Sequence, residues 1–321
     1  MSGRAVVIGS VALDLVAPSR GAASAAASAG NSGSNIAIRL AAAGWQVTFV
    51  TVVGPDQAGT LVRADCERWG VDTSGFTVDQ DYPTPRVFVV SDGSGQSELL
   101  FRCPGCDRER GRPLRVPRPD QLGRRSLDAA AAADLVIADI PGPAVAQLAA
   151  ASSSGLVWYE ASMFEAAASD QRQLADVADV LKCSREELPH YAGLFADPPP
   201  RTRAAVITAG AAGTDAELLG GAGRARLSLH VGACPADVVD PLGAGDAFTA
   251  TAAARLAAAH RARPDFTAAE LETALAAGSA AAAKACGATG ARGDMTSGAS
   301  RAIVNPWIAT DLPFLCPLCA P

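Results

Sequence analysis

The stretch that decides the fold is residues 238–248, with the sequence VVDPLGAGDAF. A short strand over residues 236–239 is expected to run into a turn with two glycines, and a helix is expected over residues 248–260. Because the glycines have no side chains, backbone N–H groups at this turn can converge on an anion at the helix N-terminus. The pattern therefore predicts an anion-binding turn formed by Gly243, Ala244 and Gly245.

Asp246 follows this turn directly and would be held beside the bound anion. A carboxylate in that position can accept a proton from a hydroxyl as the hydroxyl attacks a phosphoryl group. The alternative is a glycine turn before a helix whose aspartate serves only as a cap.

Residues 240–248 also resemble the C-terminal signature of the ribokinase family of sugar and nucleoside kinases, which is the phosphofructokinase-B family. That signature reads roughly D-T-x-G-A-G-D-x-F, and this chain follows it with Pro241 in place of the threonine. The resemblance extends over about residues 4–295 and is closest to fructokinase-like and ketohexokinase-like members. It implies ATP and Mg²⁺ as cofactors and Asp246 as the catalytic base. It also implies a monovalent cation such as K⁺ near Asp240.

The order of the expected elements points to one α/β domain spanning residues 1–321. Strands alternate with helices through most of the chain, which predicts a mostly parallel central sheet with helices on both faces. Two β-runs around a glycine turn within residues 84–101 predict a hairpin. Segments of about 10–30 and 84–107 are expected to form a small β-sheet lid. This is the organisation of the ribokinase-like fold, and the tail at residues 305–321 has no assigned role.

Composition and charge exclude several classes of protein. The formal net charge is -6 and no basic face is evident, which argues against a general nucleic-acid binder. No signal peptide and no membrane-spanning run is recognised, so no membrane association and a cytoplasmic location are expected. Two CxxC pairs, Cys103 with Cys106 and Cys316 with Cys319, could bind zinc, form disulfides or remain simple thiols.

Residues near the N-terminus are candidates for binding the acceptor molecule. Asp14 follows the first strand, and a carboxylate can accept hydrogen bonds from two neighbouring hydroxyls. Residues 30–37, GNSGSNIA, resemble the family's N-terminal signature G-G-x-x-x-N-x-A, with Asn31 in place of the second glycine. The resemblance implies that Gly30 lets a sugar approach the backbone and that Asn35 binds a hydroxyl. The alternatives are a loop cap at Asp14 and an ordinary Ser/Asn-rich helix start.

The segment after the hairpin reads PGCD at residues 104–107, where relatives often have P-G-A-N. Asp107 in place of asparagine can only accept hydrogen bonds, which favours an acceptor with an amine; the alternative is an ordinary turn. Arg86 and Arg102 are further candidates for contacts between the lid and the substrate.

The nucleotide side is predicted from residues 179–187, DVLKCSREE. Many fructokinases resemble this chain in having a lysine at the position of Lys182, followed by the pair Ser184 and Glu187. The resemblance implies that Glu187 reaches Mg²⁺ through water. Ser184 and Glu187 also match a capping box, and the two interpretations are compatible.

Glycine turns further along the chain resemble the family's nucleotide-binding turns. The expected contacts with the nucleotide phosphates and the adenine side are Thr208, Gly210, Gly213 and Gly290.

The predicted function is ATP-dependent transfer of a phosphoryl group to a hydroxyl of a sugar or sugar-like small molecule. Alternatives are a nucleoside or aminosugar kinase of secondary metabolism and a non-catalytic sugar- or nucleotide-binding regulator on the same fold. A third is a zinc-stapled interaction protein. Edge strands of the lid could pair between subunits, which makes a homodimer an expectation as well.

Overall fold

The computed structural model describes residues 2–17, 26–91, 97–103, 107–162, 166–220, 226–263 and 265–295. The predicted tail at residues 305–321 lies outside these residues. So do Cys106, Cys316 and Cys319, so the two CxxC pairs cannot be compared with the structure. Cys103 is buried.

Strands and helices alternate as the sequence predicts. In chain order they are β1 (Arg4–Ile8), β2 (Ala12–Ala17), β3 (Ala26–Gly30), α1 (Ser32–Ala42), β4 (Gln46–Val53), α2 (Gln57–Arg68), β5 (Phe76–Val78), β6 (Arg86–Ser91), β7 (Ser97–Leu100), α3 (Arg124–Ala131), β8 (Leu135–Ala138), α4 (Pro143–Ala150), β9 (Leu156–Glu160), α5 (Ala168–Ala175), β10 (Val180–Ser184), α6 (Leu188–Ala196), β11 (Ala204–Thr208), β12 (Thr214–Leu218), β13 (Leu227–Val231), α7 (Ala244–Ala262) and α8 (Ala268–Cys286).

Nine strands form the central sheet in the order β13-β12-β11-β10-β9-β8-β1-β4-β5. Every pair from β11 to β5 is parallel, and β12 and β13 add an antiparallel edge. Successive side chains of a strand point to opposite faces, so Val7 of β1 packs under α1, α2, α7 and α8, and Val6 packs under the α3–α6 side. Burial on both faces explains why the inner strands are continuously apolar. The predicted fold class is confirmed.

A second, four-stranded sheet has the order β3-β2-β6-β7. Strands β6 and β7 pair antiparallel, as the hairpin prediction requires, and β2 joins β6 in parallel. Ser97 at the start of β7 donates a hydrogen bond to Asp240 across 143 positions of sequence. This contact ties the small sheet, which we call the lid, to the turn before α7.

Three local predictions differ from the structure. The predicted strand at residues 236–239 is wrong: the N–H groups of Val239 and Asp240 both donate to the carbonyl of Cys286, which draws the segment onto the end of α8. Helix α7 begins at Ala244 rather than at residue 248, because Gly243 turns the chain with a left-handed φ of 77°. Helix α6 begins at Leu188 rather than directly after Ser184, as the capping-box interpretation implies, because residues 185–187 form a turn.

Candidate active site

The glycine turn before α7 packs closely against the C-terminal turn of the chain. Gly243 has φ 77° and ψ 4°, and a Cβ atom built on it would lie 2.5 Å from the carbonyl oxygen of Ala291. Only glycine meets both conditions, because it alone adopts this φ at no cost and needs no space for a side chain. The turn is therefore brought next to Gly290, the residue expected on the adenine side.

Two of the three predicted anion-binding amides are available. The N–H groups of Gly243 and Gly245 have no hydrogen-bond acceptor among the residues that the structure describes. The N–H of Ala244 is 3.2 Å from the carbonyl oxygen of Pro241 and so helps to close the turn. Because α7 is 19 residues long, its N-terminus adds a positive dipole end at this point.

Asp246 lies in the first turn of α7 and contacts the N-terminal signature. Asn35 donates from Nδ2 to Asp246 Oδ2 at 2.8 Å. Burial raises the pKa of Asp246 above its ordinary value, while the Asn35 hydrogen bond and the Lys182 ammonium oppose that rise. Because a carboxylate can only accept, the orientation of the Asn35 amide is fixed. Its buried Oδ1 has no donor among the described residues.

Asp14 lies on β2 opposite Ser28 of β3, and its side chain reaches Gly30 at the end of that strand. A Cβ atom on Gly30 would lie 2.0 Å from the Asp14 carboxylate, so a side chain at residue 30 would displace that group. Burial raises the pKa of Asp14 to about 7, with Arg292 opposing the rise and Asp246 adding to it. No residue that the structure describes donates a hydrogen bond to this carboxylate, so it is left to bind something else.

The two signatures line one cavity of about 240 Å³. Asp14, Asn35 and Asp246 supply its polar wall. Three apolar side chains reach it from the lid: Val87, Leu99 and Phe101. Within the described part of the chain, no lysine or arginine lines it. Asp14 and Asn35 suit a small molecule that donates hydrogen bonds, while Gly243 and Gly245, which also line the cavity, suit an anion.

Two predicted substrate contacts lie elsewhere in this structure. The side chain of Asp107 is 84 % exposed and forms a two-bond pair with Arg102, which lowers the pKa of Asp107. Arg86 lies 3.5 Å from the Asp56 carboxylate at the start of α2. Neither lines the cavity. Local pairing with an oppositely charged side chain holds both residues away from it.

Asp240, the expected cation ligand, is occupied by hydrogen bonds. Its carboxylate accepts from the N–H of Leu242 at 3.0 Å, the N–H of Gly290 at 2.8 Å and the hydroxyl of Ser97. These donors make Asp240 the link between the lid, the C-terminal turn and α7.

Lys182 lies behind the anion-binding turn. It is buried and forms an ion pair with Glu160, whose other oxygen accepts from Thr249 Oγ1 at 2.7 Å and Trp158 Nε1 at 3.2 Å. The Lys182 Nζ atom is 3.9 Å from the Cβ position of Gly245. The buried Lys182 ammonium therefore places a positive charge behind the anion-binding turn.

The other nucleotide-side residues share the carboxyl edge of the sheet. Ser184 and Thr208 are register partners at the ends of β10 and β11. Glu187 and Ser184 form the reciprocal bonds that the capping-box interpretation predicts, at 2.9 and 3.1 Å. Gly210 and Gly213 follow β11 in a tight turn with φ of 54° and 88°.

No group of three or more acidic, histidine or cysteine side chains in the described residues is placed to enclose a metal ion. Magnesium in such sites is usually held by phosphates, waters and one or two carboxylates. Glu187 at the carboxyl edge fits that kind of site.

Sequence reasoning missed three charged residues near the site, none of which lines the cavity of about 240 Å³. Asp139 follows β8, is 1 % exposed, and accepts from the N–H of Ser10 at 3.2 Å; burial raises its pKa well above the ordinary value. Glu160 ends β9. A charged residue directly after a buried strand was the available signal for both, because ligands bind at that edge of α/β sheets. Arg292, which donates to Asp65 at 2.8 Å, gave no such signal.

None of the helices in the described ranges has the length and apolar character needed to cross a membrane.

Comparison with known proteins identifies a family and several solved structures that this chain resembles. The model of the pfkB family of carbohydrate kinases matches residues 2–297. No curated protein sequence matches the chain.

Among solved structures, fructokinase with bound ATP from Xylella fastidiosa has a TM-score of 0.68 at 21% identity, covering 89% of this chain and 92% of its own. Ribokinase from Arabidopsis thaliana, complexed with ribose and ATP, has a TM-score of 0.68 at 20% identity, covering 97% and 100%. Aminoimidazole riboside kinase from Salmonella enterica has a TM-score of 0.64 at 20% identity, covering 97% and 100%. At these identities the likeness establishes the fold.

Proposed function

This chain belongs to the pfkB family of carbohydrate kinases, which are phosphotransferases, and we propose that it transfers the γ-phosphoryl group of ATP to a hydroxyl of a sugar or sugar-like small molecule. One observation carries the proposal. Asp246, held by Asn35 at 2.8 Å, lies at the N-terminus of α7 beside two amides without acceptors in the described residues.

Asp246 acts as the base that takes the proton of the attacking hydroxyl. For this role the carboxylate has to be ionised, and burial alone works against ionisation. The Asn35 hydrogen bond and the Lys182 ammonium both favour the ionised form. A carboxylate stabilised in this way and placed at hydrogen-bond reach of a hydroxyl meets the requirements of general-base catalysis.

The N–H groups of Gly243 and Gly245 stabilise negative charge on the transferred phosphoryl group. They point from a helix N-terminus and need no reorganisation during the reaction, which is the arrangement that gives such donors their large effect. Lys182 adds a fixed positive charge behind them.

The acceptor is oriented by Asp14 and Asn35. Asp14 and the free Oδ1 of Asn35 are hydrogen-bond acceptors without donors in the described residues, so they suit neighbouring hydroxyls. The lid side chains Val87, Leu99 and Phe101 cover the apolar side and limit access of water, which would otherwise compete for the phosphoryl group.

ATP as donor is supported by family membership and by the ATP-bound relatives of the same fold. We place its phosphates at the carboxyl ends of β10 and β11, near Ser184, Thr208, Gly210 and Gly213, and its adenine near Gly290. Mg²⁺, when bound with the phosphates near Glu187, neutralises charge on the leaving oxygens. A monovalent cation near Asp240 stays a prediction, and no step is assigned to it.

A nucleoside is the second candidate acceptor. A further cavity of about 180 Å³ adjoins the first and shares Asp14 and Asn35 with it. Trp69, Val16 and Val89 line it, so it could take a planar base while the sugar lies near Asp246.

The test is release of ADP from Mg-ATP by the purified protein against ketoses, aldoses, aminosugars and nucleosides. With the best acceptor, Asp246→Asn should lower kcat by about 10³-fold, within the range of general-base effects. Asp237→Asn, the same change at an exposed aspartate in the preceding loop, is the matched control. Full turnover by D246N would refute the mechanism. ATP binding without turnover by the unaltered protein would favour the regulator alternative.

A homodimer stays a prediction. Strands β3 and β7 are the two edges of the lid sheet and are the surfaces through which subunits would pair. Sedimentation of the protein with and without acceptor tests it, and cell fractionation tests the cytoplasmic location.

A further inference from the structure

Asn31 has a backbone conformation that almost only glycine adopts. Its φ is 72° and its ψ 161°. A side chain in this region is strained, and such strain persists at functional sites where the surroundings enforce it. The other non-glycine residue with positive φ in the described chain, Asp107, has φ 55° and lies on the exposed lid. Asn31 instead lines the cavity that contains Asp246.

The surroundings hold Asn31 on two sides. Its carbonyl oxygen accepts from the N–H of Asn35 at 3.1 Å and from the hydroxyl of Ser34 at 3.2 Å. Its side-chain amide lies 3.2 Å from the Ser10 hydroxyl. Ser10 is 3 % exposed, and its backbone N–H donates to Asp139, so the Asn31 amide has a partner on a buried, hydrogen-bonded segment.

Helix capping does not explain the asparagine. Asparagine is common at the residue before a helix because its side chain accepts a hydrogen bond from the first turn. Asn31 precedes α1 but makes no such bond. A glycine would remove the backbone strain and leave the cavity wider. Asn31 instead keeps a strained backbone and presents its side chain to the molecule that occupies the cavity.

We propose that Asn31 is a specificity-determining residue, whose side chain narrows the acceptor cavity and contacts one polar position of the acceptor. This inference rests on the proposed function, since it concerns the same acceptor. Asp14, the free Oδ1 of Asn35 and Asp246 accept hydrogen bonds in this cavity, while Gly243 and Gly245 present the amides assigned to the phosphoryl group. The part of the acceptor that Asn31 contacts therefore carries hydroxyl or amine donors.

The experiment compares the unaltered protein with Asn31→Gly. The probes are the best acceptor of the panel and its single deoxy and single O-methyl analogues at each hydroxyl. At one position, Asn31→Gly should improve the kcat/KM of the O-methyl analogue relative to the parent by about tenfold or more. At the same position it should reduce the penalty for the deoxy analogue. The other positions should change by one common factor.

Ser10→Ala serves as the second variant, because it removes the group that positions the Asn31 amide and keeps the amide itself. It should alter selectivity at the same acceptor position to a smaller extent. Asn31→Gly should also raise the melting temperature, since the backbone strain is lost. A uniform change in kcat/KM at every position would overturn the proposal and leave Asn31 with a purely structural role.

Binding separates this inference from the proposed function. The Kd values of the same analogues are measured by calorimetry in Asp246→Asn and in Asp246→Asn combined with Asn31→Gly, which requires no phosphoryl transfer. Altered binding selectivity in these variants, together with no ADP release by the unaltered protein, would keep the Asn31 proposal and refute the kinase proposal. ADP release by the unaltered protein, with the same binding selectivity in both variants, would support the kinase proposal and refute the Asn31 proposal. Failure of every acceptor to bind would refute both.

Discussion

Two buried aspartates on either side of Asp246 differ in how their charge is satisfied. Asp240, in the turn before α7, is 1 % exposed and accepts hydrogen bonds from Leu242, Gly290 and Ser97. Asp14, on the lid strand β2, is 9 % exposed and has no donor in the described residues, and burial raises its pKa to about 7. The hydrogen bonds of the Asp240 carboxylate are thus satisfied within the protein, whereas those of the Asp14 carboxylate are not satisfied by the described residues.

The difference separates a structural carboxylate from a binding one. A buried charge is costly unless it is hydrogen-bonded, so Asp240 stabilises the closed turn and the lid. The buried Asp14 carboxylate lowers the stability of the empty protein, because no described residue donates a hydrogen bond that would offset its loss of hydration. A ligand with neighbouring hydroxyl donors would supply the missing hydrogen bonds, which is why the comparison favours Asp14 as the acceptor-binding carboxylate.

Asp240→Ala should have the largest effect on stability. It leaves two N–H groups and one hydroxyl without their acceptor, and we expect the free energy of unfolding to fall by about 3–5 kcal/mol. Urea denaturation with and without KCl measures this. Asp240→Asn keeps one acceptor oxygen and should lose less. Full stability of Asp240→Ala, with loss of a K⁺ requirement, would instead support the cation site.

Asp14→Asn should stabilise the empty protein and weaken acceptor binding. The pKa of Asp14 is raised from 3.8 to about 7, so the folded state binds a proton more tightly than the unfolded state. Stability of the unaltered protein is therefore lost as pH rises from about 4 to 7 and is constant above that. The variant lacks this loss, and its advantage at pH 8 should reach up to roughly 4 kcal/mol.

The measurement for Asp14→Asn is urea denaturation at pH 4 and pH 8 together with the acceptor KM, which should rise about 100-fold. Asp139→Asn makes the same change at another buried carboxylate, directly after β8. It is a useful comparison because Asp139 already accepts a hydrogen bond from the N–H of Ser10. A variant less stable than the unaltered protein at pH 8 would show that Asp14 has a structural role like that of Asp240.

Asp246 is intermediate: the side chains of Asn35 and Ser32 both favour its ionised form, and the charge of Lys182 lies nearby. Lys182→Met should raise the pKa of Asp246, so the acid limb of the kcat profile moves to higher pH. The single variant also leaves Glu160 buried and unpaired, which destabilises the fold. Lys182→Met with Glu160→Gln should regain stability and keep the shifted limb. An unchanged limb in the double variant would remove Lys182 from the mechanism.

Ser97→Ala should have the smallest effect. It removes one of the three donors to Asp240, and we expect a loss of about 1 kcal/mol in the free energy of unfolding and a few-fold rise in acceptor KM. Thermal melts and initial rates measure these. A change in kcat with no change in KM would show that the hydrogen bond from Ser97 to Asp240 does not control how the lid covers the acceptor.

Most of the fold could be predicted because its signals are local. Continuous apolar runs such as β8 and β9 indicate strands buried on both faces, and the glycine turn indicates the start of α7. The antiparallel edge strands β12 and β13 were missed, since their half-exposed residues do not form such runs. Residues 236–239 were misassigned because two exposed valines resemble a strand in sequence.

The site was predictable where one short motif supplies both the backbone and the side chain. Asp246 after its glycine turn and Asn35 in α1 are of this kind. Asp107 was placed in the site because PGCD resembles the P-G-A-N of relatives, and Arg86 as a candidate lid contact, but each forms an ion pair with an arginine or aspartate nearby in the fold. Charge alone does not indicate which partner a side chain selects.

The sequence by itself determined the alternation of strands and helices, the left-handed turn at Gly243 and the carboxylate that follows it, because these depend on backbone preferences over a few residues. Only the tertiary structure decided which carboxylates have donors. Asn35 and Asp246 are 211 positions apart, and Ser97 and Asp240 are 143 apart. Contacts over such distances are set by how the sheets and helices pack together, and no local pattern specifies them.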